Sequence, residues 1–256
     1  MELRDRAAIV TGGAGGLGAA TVRHLVAAGM GVVIFDRALD AAEVLAKELG
    51  AKAVAVGGDV NDDDDVGAAV RAAQELGTLS LVVNVAGGGV HAGRTVDRTG
   101  APHPKDAFVS TMAMNAIGTF NVTRLACAAM STNEPTADGE RGVVVNTASI
   151  AGLEGQTGQV AYAAAKAAIL GMTLPMARDM APIGIRVCAI APGTMGTPLL
   201  MSAPDSITKP LVESVVFPKR MGRPDEFALL VESIATNPYL NGENIRLDAA
   251  LRFPPK

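Results

Sequence analysis

The sequence predicts an α/β protein, a doubly wound parallel sheet with helices on both faces, folded as a single domain over residues 1–256. Three observations predict it. Short runs rich in Val and Ile alternate along the chain with Ala-rich segments of helical length, the rhythm that yields a parallel sheet covered on both sides. The first apolar run passes straight into a glycine-rich turn, residues 12–18, with Gly12, Gly16, Leu17 and Gly18. There the backbone can approach an anion at a helix start. The polar residues that stand out, Asp36, Asp59, Asn84 and Ser149, follow the carboxyl ends of predicted strands, where such sheets bind ligands. Together these make the fold Rossmann-like.

Each element follows from its local pattern. Residues 7–11 form a first strand and 19–28 a helix. The second strand, 31–36, ends in Asp36, eighteen residues beyond Gly18, close to the spacing of a carboxylate that holds an adenosine ribose. Asp36 could equally cap the following helix, 38–49. A third strand, 51–56, leads to Asp59 and Val60, and the acidic run 62–65 opens a helix against the positive end of its dipole. The fourth strand, 79–85, carries Asn84 and ends in Ala86, Gly87, Gly88 and Gly89; residues 90–105 lack periodicity and predict a loop near the site. Residues 106–130 predict one long helix with Asn115 in its middle, an awkward place for a side chain that competes for backbone hydrogen bonds. Asn115 is expected to bend that helix or bind a water. A buried strand over 143–148 places Ser149 at its end, and a helix begins near Val160. The strand 185–191 is followed by Pro192, Gly193 and Thr194. Residues 195–221 intersperse Pro and Gly with Leu199, Leu200, Met201, Leu211, Val215 and Phe217, the composition of a lid over a ligand. A helix at 225–235 and a strand at 244–247 close the chain.

The chemistry concentrates between Ser149 and Lys166. On a helix, Tyr162 and Lys166 are four apart and share a face. A free tyrosine has a pKa near ~10 and is a poor base at neutral pH. A nearby ammonium, and the positive ring of a cofactor, favour the phenolate. A serine hydroxyl opposite can steady charge developing on a substrate oxygen. The set is suited to moving a proton to or from an alcohol or carbonyl.

Composition narrows the classes. A net charge of −4 over 256 residues provides no footprint for nucleic acid. No apolar run approaches ~18 residues, so no membrane span is expected, and the charged start lacks a signal core. Cys127 and Cys188 sit in apolar segments and read as reduced core residues. His24, His91 and His103 lack metal-ligand spacing, so no metal is expected.

With these residues placed, the chain resembles the short-chain dehydrogenase/reductase family over nearly its whole length. The matching motifs are Thr11-Gly12 with Gly16 and Gly18, Asp59-Val60, Asn84 with Ala86-Gly87, Asn115, Ser149, Tyr162 with Lys166, and Pro192-Gly193. The resemblance implies that Tyr162 is the acid–base, that Lys166 lowers its pKa and binds the nicotinamide ribose, that Ser149 orients the substrate oxygen and that Asn115 holds a water in a proton relay. It implies NAD as cofactor, held by Gly12, Gly16, Leu17, Gly18, Asp36, Asp59, Val60, Ala86, Gly87, Tyr162, Lys166, Pro192, Gly193 and Thr197. Two departures, Val85 in place of a second Asn and Asp248-Ala249-Ala250 in place of a glycine pair, read as packing variations. The runs 158–162, 181–187, 196–200 and 237–243 are similar to the branch that acts on 3-hydroxyacyl-CoA thioesters. That branch implies an acyl-CoA substrate and a homotetramer, in which the apolar residues 251–255 would suit a subunit contact, and the Arg-rich, Lys-poor composition suggests a bacterial cytoplasmic enzyme. An NADPH-dependent 3-oxoacyl carrier-protein reductase and an alcohol or hydroxysteroid dehydrogenase stand as alternatives. The intact Ser149, Tyr162 and Lys166 set argues against a scaffold without activity.

Overall fold

Seven strands form one parallel sheet in a computed structural model that describes residues 1–88 and 92–255. Gly89, Val90 and His91 lie outside the described residues, as does the side chain of Leu199. The strands are β1 (Arg6–Thr11), β2 (Gly31–Asp36), β3 (Ala53–Gly57), β4 (Thr78–Asn84), β5 (Gly142–Thr147), β6 (Ile185–Pro192) and β7 (Asn244–Leu247), in the order β3-β2-β1-β4-β5-β6-β7. The helices are α1 (Gly16–Ala27), α2 (Leu39–Leu49), α3 (Asp63–Leu76), α4 (Lys105–Met112), α5 (Gly118–Met130), α6 (Val160–Met180), α7 (Pro198–Met201), α8 (Asp205–Ser214) and α9 (Pro224–Thr236). Strand and helix edges shift from the sequence reading by one to three residues, and β7 falls where expected.

Successive strand residues point to opposite faces, and here both faces are covered. Val10, Ile34, Leu81, Val83, Val143 and Val145 join Val22 and Leu25 of α1 and Phe227 and Val231 of α9 in one core. Ile9, Val33, Val82, Val144 and Val187 join Val66 of α3, Val122 of α5 and Met176 of α6 in the other. Two buried faces explain why the strands read as unbroken apolar runs instead of alternating ones.

Strand order reverses between β1 and β4. The chain travels outward from β1 to β3, then returns past β1 to lay down β4. Crossovers therefore leave in opposite directions, and a crevice opens at the strand carboxyl ends. Thr11 pairs with Phe35 on one side and Asn84 on the other. Its hydroxyl accepts from the N–H groups of Val85 and Ala86, both at 3.1 Å, and so ties the loop after β4 to the end of β1.

Three sequence expectations meet the structure. The expected 106–130 helix is divided: α4 and α5 are joined by a single π-helical turn, Ala113–Ile117, with Asn115 at its centre. The acidic run does start a helix, with the Asp62 carboxylate accepting from the N–H groups of Asp64 and Asp65. Although no apolar run is long, α6 extended to Ile183 is long and apolar enough by composition to cross a membrane. It lies instead along the sheet, with Ile169, Leu170, Met176 and Lys166 buried. Cys127 and Cys188 are free and buried, and burial pushes the Cys127 thiol up to about 12.

At the opposite end of the sheet, Arg186 of β6 is buried with all its donors engaged. It donates to Glu140 Oε1 at 3.2 and 2.9 Å and to the carbonyls of Ile234, Ala235 and Leu240 at 2.7–2.9 Å. Glu140 also meets the Met1 ammonium at 3.4 Å. Arg186→Met leaves a buried carboxylate short of its main partner and strips three carbonyls, a loss of about 3–5 kcal/mol. Urea unfolding checks this; a loss below ~1 kcal/mol contradicts it.

Candidate active site

Two adjoining cavities occupy the crevice. The larger, about 620 Å³, is lined by Gly12, Gly16, Leu17, Gly18, Asp36, Asp59, Val60, Ala86, Gly87 and Thr197. The smaller, about 320 Å³, is lined by Ser149, Tyr162, Lys166, Pro192 and Gly193. Leu17, Val85 and Gly87 line both, so the two are continuous. Every cofactor residue named from the sequence lines one or the other. Asn115 lines neither.

The glycine turn is shaped for close approach. Gly12 has φ 61, and a Cβ there would meet Ala86 backbone atoms at 2.9 Å. A Cβ on Gly18 would overlap the Gly12 carbonyl. The turn therefore packs tightly at the start of α1, whose first residues Gly16, Leu17 and Gly18 line the larger cavity, where the free N–H groups of a helix start suit an anion. Asp36 lines the larger cavity, and its carboxylate bonds no N–H within α2. Its Oδ1 accepts from the Ala38 N–H at 2.9 Å, next to the start of α2, and its Oδ2 accepts from Ala14 in the glycine turn at 3.0 Å. Each carboxylate oxygen keeps a further lone pair, so the ribose hydroxyls of a dinucleotide can still be held. Arg37 lines the same cavity. Hydrogen bonds from Asn61 hold the Asp59 carboxyl below its ordinary value, with the Arg37 charge a minor contribution. Val60 is held from behind by Asn121, whose Nδ2 donates to its carbonyl at 3.0 Å.

In the smaller cavity Ser149 and Tyr162 sit together, close enough for the serine to act on the phenol, and Ser149 Oγ accepts from the Ala151 N–H at 3.1 Å. The Lys166 ammonium is buried, donates to the Thr147 carbonyl at 2.8 Å and lies 5.7 Å from the Tyr162 ring centroid. Burial opposes the expected lowering of the Tyr162 pKa by Lys166. Burial pushes the Tyr162 phenol up, with the Ser149 hydrogen bond acting against it, and it draws the Lys166 ammonium down to about 8. Removal from water disfavours each charged form more than a neighbour at this distance favours it. Thr147 lines this cavity, and its buried hydroxyl has no hydrogen-bond partner within the protein. An orphaned hydroxyl beside a glycine cradle suits a polar ligand spanning both cavities, as a dinucleotide with a nicotinamide end would.

Asn115 is fully buried behind Gly87 and Gly88. Its Oδ1 accepts from the Gly88 N–H at 3.0 Å, and its Nδ2 donates to the carbonyls of Gly88 and Thr111 at 3.0 and 2.9 Å. The π turn places that carboxamide against the loop after β4, a local irregularity typical of functional sites. A Cβ on Gly87 would meet Asn115 Oδ1 at 2.5 Å and Lys166 Nζ at 3.2 Å.

Residues 195–221 contribute Met195, Leu200 and Leu211 to the smaller cavity, while Phe217 is 80% exposed and does not cover it. The sequence reading missed Gln159 and Phe253, which line it too. Nothing local marks them, because their approach is tertiary. Within residues 251–255, Leu251 is fully buried in its own chain and Phe253 is half-buried, while Arg252, Pro254 and Pro255 are exposed. The Asp248-Ala249-Ala250 departure is more than packing. Ala249 and Ala250 have φ 50 and 60, the left-handed region that favours glycine, at a cost of ~1 kcal/mol or more each.

The depressed Lys166 pKa carries a stability consequence. The unfolded chain holds the proton up to ~10.5 and the folded one only to about 8, so folding is opposed below pH 8 and the opposition fades between 8 and 10.5. Lys166→Met is expected to lose turnover and cofactor affinity, yet to gain up to about 3 kcal/mol of stability at pH 7, less above pH 9. Denaturant unfolding across pH with cofactor titration tests this; lower stability at pH 7 would contradict the burial account.

Residues 6–207 match the family model for short chain dehydrogenase. A human protein named 3-hydroxyacyl-CoA dehydrogenase type-2 is 48% identical over 256 residues, covering 99% of this chain and 98% of the relative. The crystal structure of 3-hydroxyacyl-CoA dehydrogenase type-2 from Mycobacterium avium superposes with a TM-score of 0.96 at 50% identity, covering 98% of both chains. A 3-ketoacyl-(acyl-carrier-protein) reductase from Brucella melitensis, complexed with NADH, superposes at 0.85 with 27% identity over 97% of this chain and 98% of that one. The cradle, the serine–tyrosine–lysine cavity and these likenesses agree, and the chain belongs to the short-chain dehydrogenase/reductase family of nicotinamide-dependent oxidoreductases.

Proposed function

We propose that this protein is an NAD-dependent 3-hydroxyacyl-CoA dehydrogenase, interconverting the 3-hydroxy and 3-oxo forms of an acyl-CoA thioester. The observation that carries the reading is the joining, in one cavity, of Ser149, Tyr162 and Lys166 with the apolar side chains of Met195, Leu200 and Leu211. An alcohol or ketone beside an apolar chain is what such a cavity accommodates. The full-length likeness to relatives of that name supports it.

Bound NAD supplies the hydride acceptor at its nicotinamide ring. Tyr162 takes the proton of the 3-hydroxyl during oxidation and returns it to the forming alkoxide during reduction. Ser149 donates a hydrogen bond to that oxygen. Lys166, anchored by the Thr147 carbonyl, stabilises the phenolate and binds the nicotinamide ribose. Asn115 Oδ1, with one lone pair beyond the Gly88 contact, holds a water that connects Lys166 to solvent. Pro192, Gly193 and Thr197 flank the nicotinamide end, and residues 195–221 close over the acyl group as a lid.

The assembly we propose is a homotetramer. Val109, Ile117 and Phe120 of the α4–α5 stretch and Leu174 of α6 are apolar and about half exposed, which suits faces that pair with a second copy. The two free buried thiols suit a cytoplasmic enzyme.

Cofactor choice follows from Asp36. A 2′-phosphate near its carboxylate would meet like charge, roughly 4 kcal/mol at ~4 Å and an effective dielectric near 20. Gly15 has no side chain to offset that charge, and Arg37 shares its cavity with two carboxylates, Asp36 and Asp59, which offset its attraction for a phosphate. NAD is expected to be preferred over NADP by at least ~10²-fold in kcat/KM, with Asp36→Ala narrowing the gap. Initial rates with 3-oxoacyl-CoA thioesters, simple ketones and steroids, each with NADH and NADPH, test the whole reading. Equal rates with both cofactors point to the carrier-protein reductase instead, and higher kcat/KM for simple ketones removes the thioester assignment.

A further inference from the structure

The segment after β7 crosses the chain to reach the candidate active site, and it is held there by more than its apolar residues. Glu154, five residues beyond Ser149, accepts from Arg246 of β7 at 2.9 and 3.3 Å and from the backbone N–H of Phe253 at 3.1 Å. Arg246 and Arg252 both pair with Asp248, at 2.6 and 3.2 Å. On the other side the Thr157 N–H and hydroxyl donate to the Pro255 carbonyl at 3.1 and 2.8 Å, and Gln156 Nε2 donates to the Pro254 carbonyl at 3.2 Å. Phe253 lies between these two sets of bonds. Its ring is half-buried and lines the same cavity as Ser149, Gln159 and Tyr162. Apart from Tyr162 it is the one aromatic side chain among the described lining residues of that cavity.

The geometry at Ala249 and Ala250 indicates that this placement is held against resistance. Two consecutive non-glycine residues at positive φ persist only where the surroundings over-determine them. Here the surroundings are visible. The Ala250 N–H donates to Asp248 Oδ1 at 3.1 Å, and the N–H groups of Val216 and Phe217, at the end of the 195–221 segment, donate to the Ala249 carbonyl at 3.3 and 3.4 Å. The same turn therefore joins the end of that segment to the strip that carries Phe253.

We infer that residues 249–255 are a built wall of the substrate cavity, with Phe253 a specificity-determining residue that limits the length and branching of the acyl chain. The inference rests on the reading that this cavity takes the acyl group. Leu200 and Leu211 border the chain from the 195–221 segment and Phe253 from the opposite end of the sequence, so pocket size is set by two independent parts of the fold. Glu154 acts as a positioning residue, since it touches the Phe253 backbone and not the cavity.

The test compares kcat/KM for 3-oxoacyl-CoA thioesters of four to twelve carbons, and for the matching simple 3-oxo esters, with NADH as cofactor. Phe253→Ala is expected to raise the twelve-carbon to four-carbon ratio about tenfold, the discrimination that small changes of an apolar pocket produce. Phe253→Trp is expected to lower that ratio, so either variant alone tests the assignment if the other does not fold. Glu154→Gln should shift the ratio in the same direction as Phe253→Ala, through KM for the longer chains, and NADH affinity should hold within twofold in all three. Ratios within twofold of the unmodified protein in both Phe253 variants would overturn the inference. If the unmodified protein prefers the simple esters, the thioester reading fails, and the ratio within the ester series still decides the role of Phe253.

Discussion

Between β1 and β4 the chain reverses its direction of travel across the sheet, and the rest of the site depends on how that reversal is held. The Thr11 hydroxyl spans it, accepting two backbone N–H groups from the loop after β4. With that loop fixed, Gly12 can approach Ala86 and Gly87 can lie against Asn115 and Lys166. The π turn at Asn115 is the second brace, bonding both the N–H and the carbonyl of Gly88. Cradle and catalytic cavity are thus parts of one strapped loop system.

Lys166 shows the balance between function and stability. Its ammonium sits at zero to slight exposure with one carbonyl partner, an arrangement that opposes folding and is retained where a buried cation can act on a phenol. Tyr162 is likewise held in its less reactive form by burial. When bound, NAD would bring a positive charge that favours the phenolate against that burial.

Much of this was legible in the sequence. The strand–glycine–helix pattern and the acid at Asp36 specify their own geometry within a few tens of residues, and the Tyr162–Lys166 pair follows from helical spacing alone. What stayed hidden was long-range. Asp36 bonds Ala14 of the glycine turn, and Phe253 arrives from beyond β7. The alanine pair at 249–250 looked like a neutral replacement because letters carry no φ, and only the backbone reveals the strain. The burial that raises the Tyr162 pKa stayed hidden for a related reason: charge pairing can be read from spacing, whereas burial cannot.

The central claim is that Tyr162 exchanges the proton while the cradle independently binds the cofactor. Single-turnover oxidation of NADH by a 3-oxoacyl-CoA, followed in the unmodified protein and in Tyr162→Phe, tests it most directly. The account predicts a loss of at least ~10²-fold in the single-turnover rate, with NADH affinity within a few-fold. A variant that retained more than a few per cent of the rate would contradict it.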